Sequence, residues 1–157
     1  MKVIVIDLDG TVANCEHRLH HIKGDKKDWD TFYKDCINDE PIKNVVNFVE
    51  HMCNMDEGNN VGVFITGRSR ICEEETRKWI KKNFPGLIEN SDYYIYMREE
   101  RDYRPDHEIK PELLEKFFND KDSSKENVWF ILEDRASVVD KWRELGYTCF
   151  QVVKGDF

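Results

Sequence analysis

Apolar positions along this chain alternate between two rhythms. Short continuous runs stand at residues 3–6 (VIVI), 61–65 (VGVFI), 93–97 (YYIYM) and 128–132 (VWFIL), and a last strand is read at 147–153 (YTCFQVV), where Thr148 and Gln151 interrupt the apolar residues. Runs of that length, unbroken by polar residues, read as strands buried on both faces. Between them the apolar residues change to helical spacing. Ile42, Val45, Val46, Val49 and Met52 predict a helix over residues 41–55 with Pro41 in its first turn. Further helices are predicted over 70–84, stopped by Pro85 and Gly86, over 111–118, and over 136–145, closed by Gly146. Residues 56–60 (DEGNN) have turn chemistry, and 120–126 read as a polar loop. Strands alternating with helices imply an α/β, Rossmann-like three-layer sandwich around a central parallel five-stranded sheet. With right-handed crossovers the first strand lies centrally, and a ligand lies beyond the carboxyl ends of the strands.

Composition narrows this picture without changing it. A chain of 157 residues fits one domain, 1–157, and can bury a sizeable core. Charged residues make up 36% and the formal net charge is −8, which argues against a broad surface for gripping a duplex. Five cysteines stand without a C-x-x-C pair, and the start (MKVIVIDLDG) runs from a short apolar stretch into acid. Both features lead one to expect free thiols, no secretory leader and a cytoplasmic protein. No run approaches the roughly 20 apolar residues of a membrane helix, so no membrane partner is expected.

Each predicted strand ends in polar residues suited to chemistry. The first stops at Asp7, Asp9, Gly10 and Thr11. Carboxylates two positions apart in extended chain point the same way, and they repel unless a cation or proton lies between them. A lone aspartate here would read as a helix cap, but D-x-D-G-T directly after VIVI weighs against capping. The second strand leads into Thr66, Gly67, Arg68 and Ser69, where Thr66 reads either as a phosphate donor or as a helix N-cap. Lys110 precedes the helix predicted from Pro111, and the fourth strand ends in Glu133 and Asp134.

The order D-x-D-G-T, then ITGR, then Lys110, then Glu133-Asp134 resembles the four motifs of the haloacid dehalogenase (HAD) superfamily of phosphohydrolases. The resemblance implies that Asp7 is a nucleophile forming an aspartyl-phosphate and Asp9 the general acid/base. It implies further that Thr66 binds the phosphoryl group, and that Lys110 holds Asp7 and the phosphoryl charge. Asp7, the backbone carbonyl of Asp9, and Asp134 would ligate Mg2+, with Glu133 joining directly or through water. Glu133 stands where the family more often has Asp.

The C-terminal stretch ILEDRASVVDKWRELGYTCFQVVKGDF is similar to the tail of the 3'-phosphatase domain of phage polynucleotide kinase/phosphatases. TGR followed by T-R-K-W at residues 76–79, and Arg98-Glu99, fit the same domain. This closer resemblance implies removal of a 3'-phosphate from a DNA or RNA end, with Gly67, Arg68, Arg98 and Arg18 near the substrate. No G-x-x-x-x-G-K-[ST] occurs in these 157 residues, so phosphorylation by a P-loop kinase is not expected of them.

Residues 14–37 are expected to form a small cap over the carboxyl end of the sheet, shaping the substrate pocket. The segment carries Arg18, three clustered histidines (His17, His20, His21) and an aromatic stripe, Trp29, Phe32 and Tyr33. The histidines read as solvated or substrate-facing rather than as metal ligands. The stripe reads as packing first and as a base-stacking platform second. Arg68, Arg70, Arg98, Arg101 and Arg104 would make the mouth locally positive, unless Glu99, Glu100 and Asp102 neutralise them as ion pairs. An end-directed 3'-phosphatase, a nucleotidase acting on nucleoside monophosphates, and a non-catalytic protein of the same fold all remain open. Retention of both Asp7 and Asp9 weighs against the last. Sequence leaves the oligomeric state undetermined.

Overall fold

A run of four branched apolar residues is stable only where water is excluded, and Val3, Ile4, Val5 and Ile6 are each at most 1% exposed. They form β1 (Lys2–Ile6) of a computed structural model that describes residues 1–55, 57, 59–90 and 93–155. A small antiparallel ribbon follows, β2 (Ala13–Asn14) with β3 (Glu40–Pro41), closing off the segment between them. The main sheet adds β4 (Asn60–Ser69), β5 (Tyr93–Arg98), β6 (Val128–Arg135) and β7 (Cys149–Gly155). All its pairs are parallel, and the order is β5-β4-β1-β6-β7, so β1 is central. The predicted α/β three-layer sandwich with its five-stranded parallel sheet is the fold observed.

The two-residue period of β1 sorts the layers. Ile4 and Ile6 pack in one core cluster with Val46 and Val49 of α2 (Lys43–Asn54) and Trp79 and Ile80 of α3 (Glu73–Asn83). Val3 and Val5 face the other cluster, with Leu114 and Phe117 of α5 (Asp106–Lys121) and Val138 and Trp142 of α6 (Ala136–Glu144). Between β2 and β3 lies a short insert: a 3-10 turn Glu16–Ile22, then α1 (Trp29–Lys34), then a second 3-10 turn Asp35–Asn38. The helix numbering is completed by α4 (Pro85–Asn90).

Several boundaries differ from the sequence reading, each for a local reason. Pro41 lies in β3 opposite Ala13 instead of opening a helix, and α2 starts at Lys43. Pro85 starts α4 after α3 ends, since proline suits a first helical position as well as it stops a helix. The strand ends extend further than the apolar runs, so Thr66, Gly67 and Arg68 lie on β4 and Glu133 and Asp134 on β6. Helix α5 begins at Asp106, not Pro111. Pro105 supplies an extended cap (φ −61°, ψ 150°), and Asp106 and Glu108 suit the positive end of the helix dipole. Lys110 is therefore a helical residue, one turn beyond Asp106. The turn read at residues 56–60 includes Asp56 and Gly58, and the C-terminal motif ends in Asp156 and Phe157; these four lie outside the described residues. Among the described residues no helix is long and apolar enough to cross a membrane.

Candidate active site

The strand alternation that sorts the core also aims Asp7. It continues the side of Val3 and Val5, towards α5, where Lys110 Nζ lies 2.7 Å from its Oδ1. The same ammonium lies 2.6 Å from Glu133 Oε2. The Thr11 hydroxyl donates to Asp7 Oδ2 at 2.8 Å and sits 3.3 Å from Asp134 Oδ1. Asp7, Lys110, Glu133 and Asp134 are all buried. Oxygens of Asp7, Glu133 and Asp134 fall within 4.8 Å of one another. Asp7 and Glu133 thus share one ammonium, and Asp134 lies beside them without contacting it. Burial, and then Glu133, push the Asp7 carboxyl up to about 7 against the pull of Lys110. Burial and Asp7 push Asp134 up to about 6. Asp134 Oδ2 is buried without a hydrogen-bond partner. A Cβ at Gly155 would stand 2.5 Å from that oxygen, so the glycine keeps the space beside it open. An all-oxygen donor set with excess negative charge and one unpartnered oxygen fits a hard divalent cation.

Asp9 has turned away from this floor. Gly10 adopts φ +86°, and the Asp9 carboxylate meets two arginines from different parts of the chain. Arg68 donates to it through Nε at 3.0 Å and Nη2 at 2.6 Å, and Arg18 through Nη2. Both guanidiniums also bind Asp39, Arg18 through Nε at 2.8 Å and Arg68 through Nη2 at 2.8 Å. Arg18 lies over the Phe32 ring, 4.4 Å from its centroid. Burial alone would raise Asp9, but Arg68 and Arg18 outweigh it and hold the carboxyl down at about 2. The charge of Asp9 is therefore balanced within the protein, in a neutral cluster of two arginines and two aspartates.

Thr66 is buried and its Oγ1 accepts the Arg68 N–H at 3.1 Å. Its hydroxyl hydrogen has no acceptor among the described residues. Ser69, not Thr66, caps the turn that follows, accepting from the Ile71 N–H. Arg98 is half-buried and donates to the Gly67 carbonyl at 2.7 Å, to the Asp102 and Arg104 carbonyls, and to Asp106. Arg135 closes the pair on Asp106 at 3.0 Å. These groups line a cleft of about 1040 Å³ with the floor at its base. Residues of the insert form part of its wall, and the segment between β5 and α5 forms another part.

The family described as "Polynucleotide kinase PNKP phosphatase domain" matches the chain over residues 1–157. The chain belongs to that family. It is accordingly a HAD-type phosphatase, as its motifs implied. A curated relative, "Putative bifunctional polynucleotide kinase/RNA ligase" of Autographa californica nuclear polyhedrosis virus, is 33% identical over 144 residues, 92% of this chain and 18% of that protein. Two solved structures are 30% identical and each covers 99% of this chain. "Structure of the Pnkp1/Rnl/Hen1 RNA repair complex" has a TM-score of 0.72, with 43% of its chain covered. "Structure of Pnkp1/Rnl/Hen1 complex" has a TM-score of 0.74, with 47% covered. The chain thus spans less than half the length of these relatives.

Of the residues singled out in the sequence, Asp7, Asp9, Thr66, Gly67, Arg68, Arg98, Lys110, Glu133 and Asp134 line one cleft, whereas Arg18 is fully buried and Arg70 lines a separate pocket. Asp7, Lys110, Glu133 and Asp134 meet directly, whereas Asp9, Arg18 and Arg68 form a separate cluster beside them. His17 lies 2.7 Å from Asp39 and His21 lies 3.4 Å from Asp35. The aromatic stripe lines the cleft as a whole but divides in exposure: Phe32 is buried, while Trp29 is 43% exposed.

Two residues of this arrangement escaped sequence reasoning. Asp39 carries no local signal, since its partners are 21 and 29 positions away. Asp106 was detectable in principle, because it stands four residues before Lys110 on one helical face once α5 is started correctly. A Cβ on Gly67 would stand 2.5 Å from Asp106 Oδ1. Gly67→Ala is therefore expected to displace Asp106 and loosen its pairs with Arg98 and Arg135. A loss of about 1–3 kcal/mol in stability, read from urea unfolding, with a matching fall in kcat/KM, checks this.

Proposed function

We propose that this domain is a Mg2+-dependent phosphomonoesterase that removes the 3'-phosphate from a nucleic-acid end through an aspartyl-phosphate on Asp7. The observation that carries the reading is the buried floor: Asp7 against Lys110 and Glu133, beside an Asp134 oxygen with no partner. Family membership supplies the polynucleotide context. The relatives' names couple a polynucleotide kinase to an RNA ligase or an RNA repair complex. A broken RNA end, whose 3'-phosphate must become a hydroxyl before sealing, is the substrate this favours. The cleft, about 1040 Å³, is at the upper end of the size of small-molecule sites.

In this reading Asp7 Oδ attacks phosphorus, and the bond from phosphorus to the ribose 3' oxygen breaks. The leaving oxygen takes a proton from Asp9 and becomes the 3'-hydroxyl. Water then attacks phosphorus, Asp9 takes its proton, and the bond to Asp7 breaks to release phosphate. Lys110 orients Asp7 as a fixed positive charge, and the Thr66 hydroxyl is placed to donate to a phosphoryl oxygen. With its carboxyl held near 2, Asp9 rests as a base. A phosphate dianion competes for the guanidinium of Arg68, which lines the cleft, and each N–H that turns to it frees Asp9 to carry a proton. Arg98 and Gly67 hold the wall beside the phosphate. Asp7, Asp134, Glu133 and the backbone carbonyl of Asp9 are the groups that would hold Mg2+. When bound, the ion neutralises the phosphoryl charge.

The reading is tested by incubating the protein with Mg2+ and either a 3'-phosphorylated oligonucleotide or a panel of nucleoside monophosphates. Faster release of phosphate from the oligonucleotide, abolished by EDTA and restored by Mg2+, is the expected result. Preference for the monophosphates moves the domain to nucleotide metabolism. Release unaffected by EDTA removes the metal from the mechanism.

A further inference from the structure

The loop between β5 and α5 is held more firmly than its exposure suggests. From below, Arg98 binds the backbone carbonyls of Asp102 and Arg104, both at 2.7 Å. From the side, Arg104 binds Asp102 through Nη2 at 2.8 Å and grips Glu112 with two N–H groups, at 2.7 and 2.8 Å. Between these anchors, Arg101 and Tyr103 behave differently. Arg101 is exposed, sits at φ +63°, a left-handed conformation that costs a residue with a side chain about 1 kcal/mol, and makes no ion pair or hydrogen bond with the described residues. Tyr103 is 88% exposed, and neither its ring nor its hydroxyl has a partner among them. Both line the cleft that contains Asp7. The neighbouring arginines are engaged, Arg70 with Glu73 and Glu99, and Arg104 as above. The insert contributes a second exposed ring to the same cleft: Trp29, stacked on Tyr33 at 5.9 Å, with the Lys27 ammonium 5.9 Å from its centroid.

We infer that Tyr103 and Trp29 are stacking platforms for unpaired bases next to the 3'-phosphate, and that Arg101 contacts the backbone phosphate between those bases. The inference rests on the phosphatase reading above and adds that the preferred end is a flexible single strand of at least two nucleotides. A rigid loop displaying an unpaired cation two residues from an unpaired ring matches a backbone in which phosphates and bases alternate. An aromatic face accepts any base, so the platform gives length preference without sequence preference. An acidic protein reaches its polymer through this local pair instead of a broad basic face.

The experiment compares kcat/KM for 3'-phosphorylated single strands of one, two, four and eight nucleotides with that for p-nitrophenyl phosphate. In the wild type the value is expected to rise from one to about three nucleotides and then level. Tyr103→Ala and Trp29→Ala should each lower the ratio of the eight-nucleotide value to the p-nitrophenyl phosphate value by about 5- to 100-fold, as loss of one stacked base does. Tyr103→Phe should preserve that ratio. Arg101→Ala should reduce the dependence of log KM on log salt by roughly 0.7, one single-strand phosphate contact. A wild type indifferent to length, or variants whose ratio does not move, overturns the platform while leaving the phosphatase reading standing. A wild type that hydrolyses no phosphomonoester at all overturns both.

Discussion

Asp7→Asn is expected to fold as the wild type does and to lose turnover by roughly 10⁴-fold or more, the scale seen when a nucleophile is removed. The replacement keeps the shape of the side chain, and its carbonyl oxygen still accepts from Lys110. Lys110 retains Glu133 at 2.6 Å. One of three crowded carboxylates is gone, so repulsion in the floor falls. The melting temperature should therefore not drop, while phosphate release does. Trapping of a phosphorylated protein with a 3'-phosphorylated oligonucleotide should succeed with the wild type only. A variant that still turns over at a tenth of the normal rate excludes Asp7 as nucleophile.

The second large effect falls on stability. Asp39 is buried and completes the charge balance of Arg18 and Arg68, both almost completely enclosed. Asp39→Ala leaves two guanidiniums on one carboxylate, Asp9, and breaking a buried pair in this way costs about 3–5 kcal/mol. A fall of about 10 °C in the melting temperature is the expected outcome for a chain of this size. The double variant Arg18→Met/Asp39→Leu removes one charge of each sign and leaves Arg68 paired with Asp9. Its loss should be clearly smaller than the sum of the two single losses. Simple additivity would mean that the four charges do not act as one cluster.

Three of the four HAD motifs were legible because each sits directly after an apolar run, where strand pattern and chemistry reinforce each other. Asp7, Thr66, Glu133 and Asp134 needed no more than that. Lys110 was found by motif order, but its setting was misread. Pro111 reads as the start of a helix that begins at Asp106, since the acids of its first turn favour the helix and its packed apolar face outweighs one missing N–H. The aromatic stripe could not be resolved either. Phe32 and Trp29 share one helix, yet Phe32 lies beneath Arg18 and Trp29 faces the cleft.

Sequence alone determined the sheet, its central strand and the location of the site, because hydrophobic periodicity and residue order are local properties that burial enforces. Only the tertiary structure decided how the charges are shared. A carboxylate's partner depends on which remote segments fold beside it. Asp7 and Asp9, two positions apart, came to rest in a metal-fitting floor and in an arginine cage respectively. Arg68 and Arg98, expected at the mouth, and Arg18, expected near the substrate, are drawn inward by Asp9, Asp39 and Asp106, because an enclosed carboxylate competes better than water for a guanidinium. Arg101 and Tyr103 are left facing the cleft.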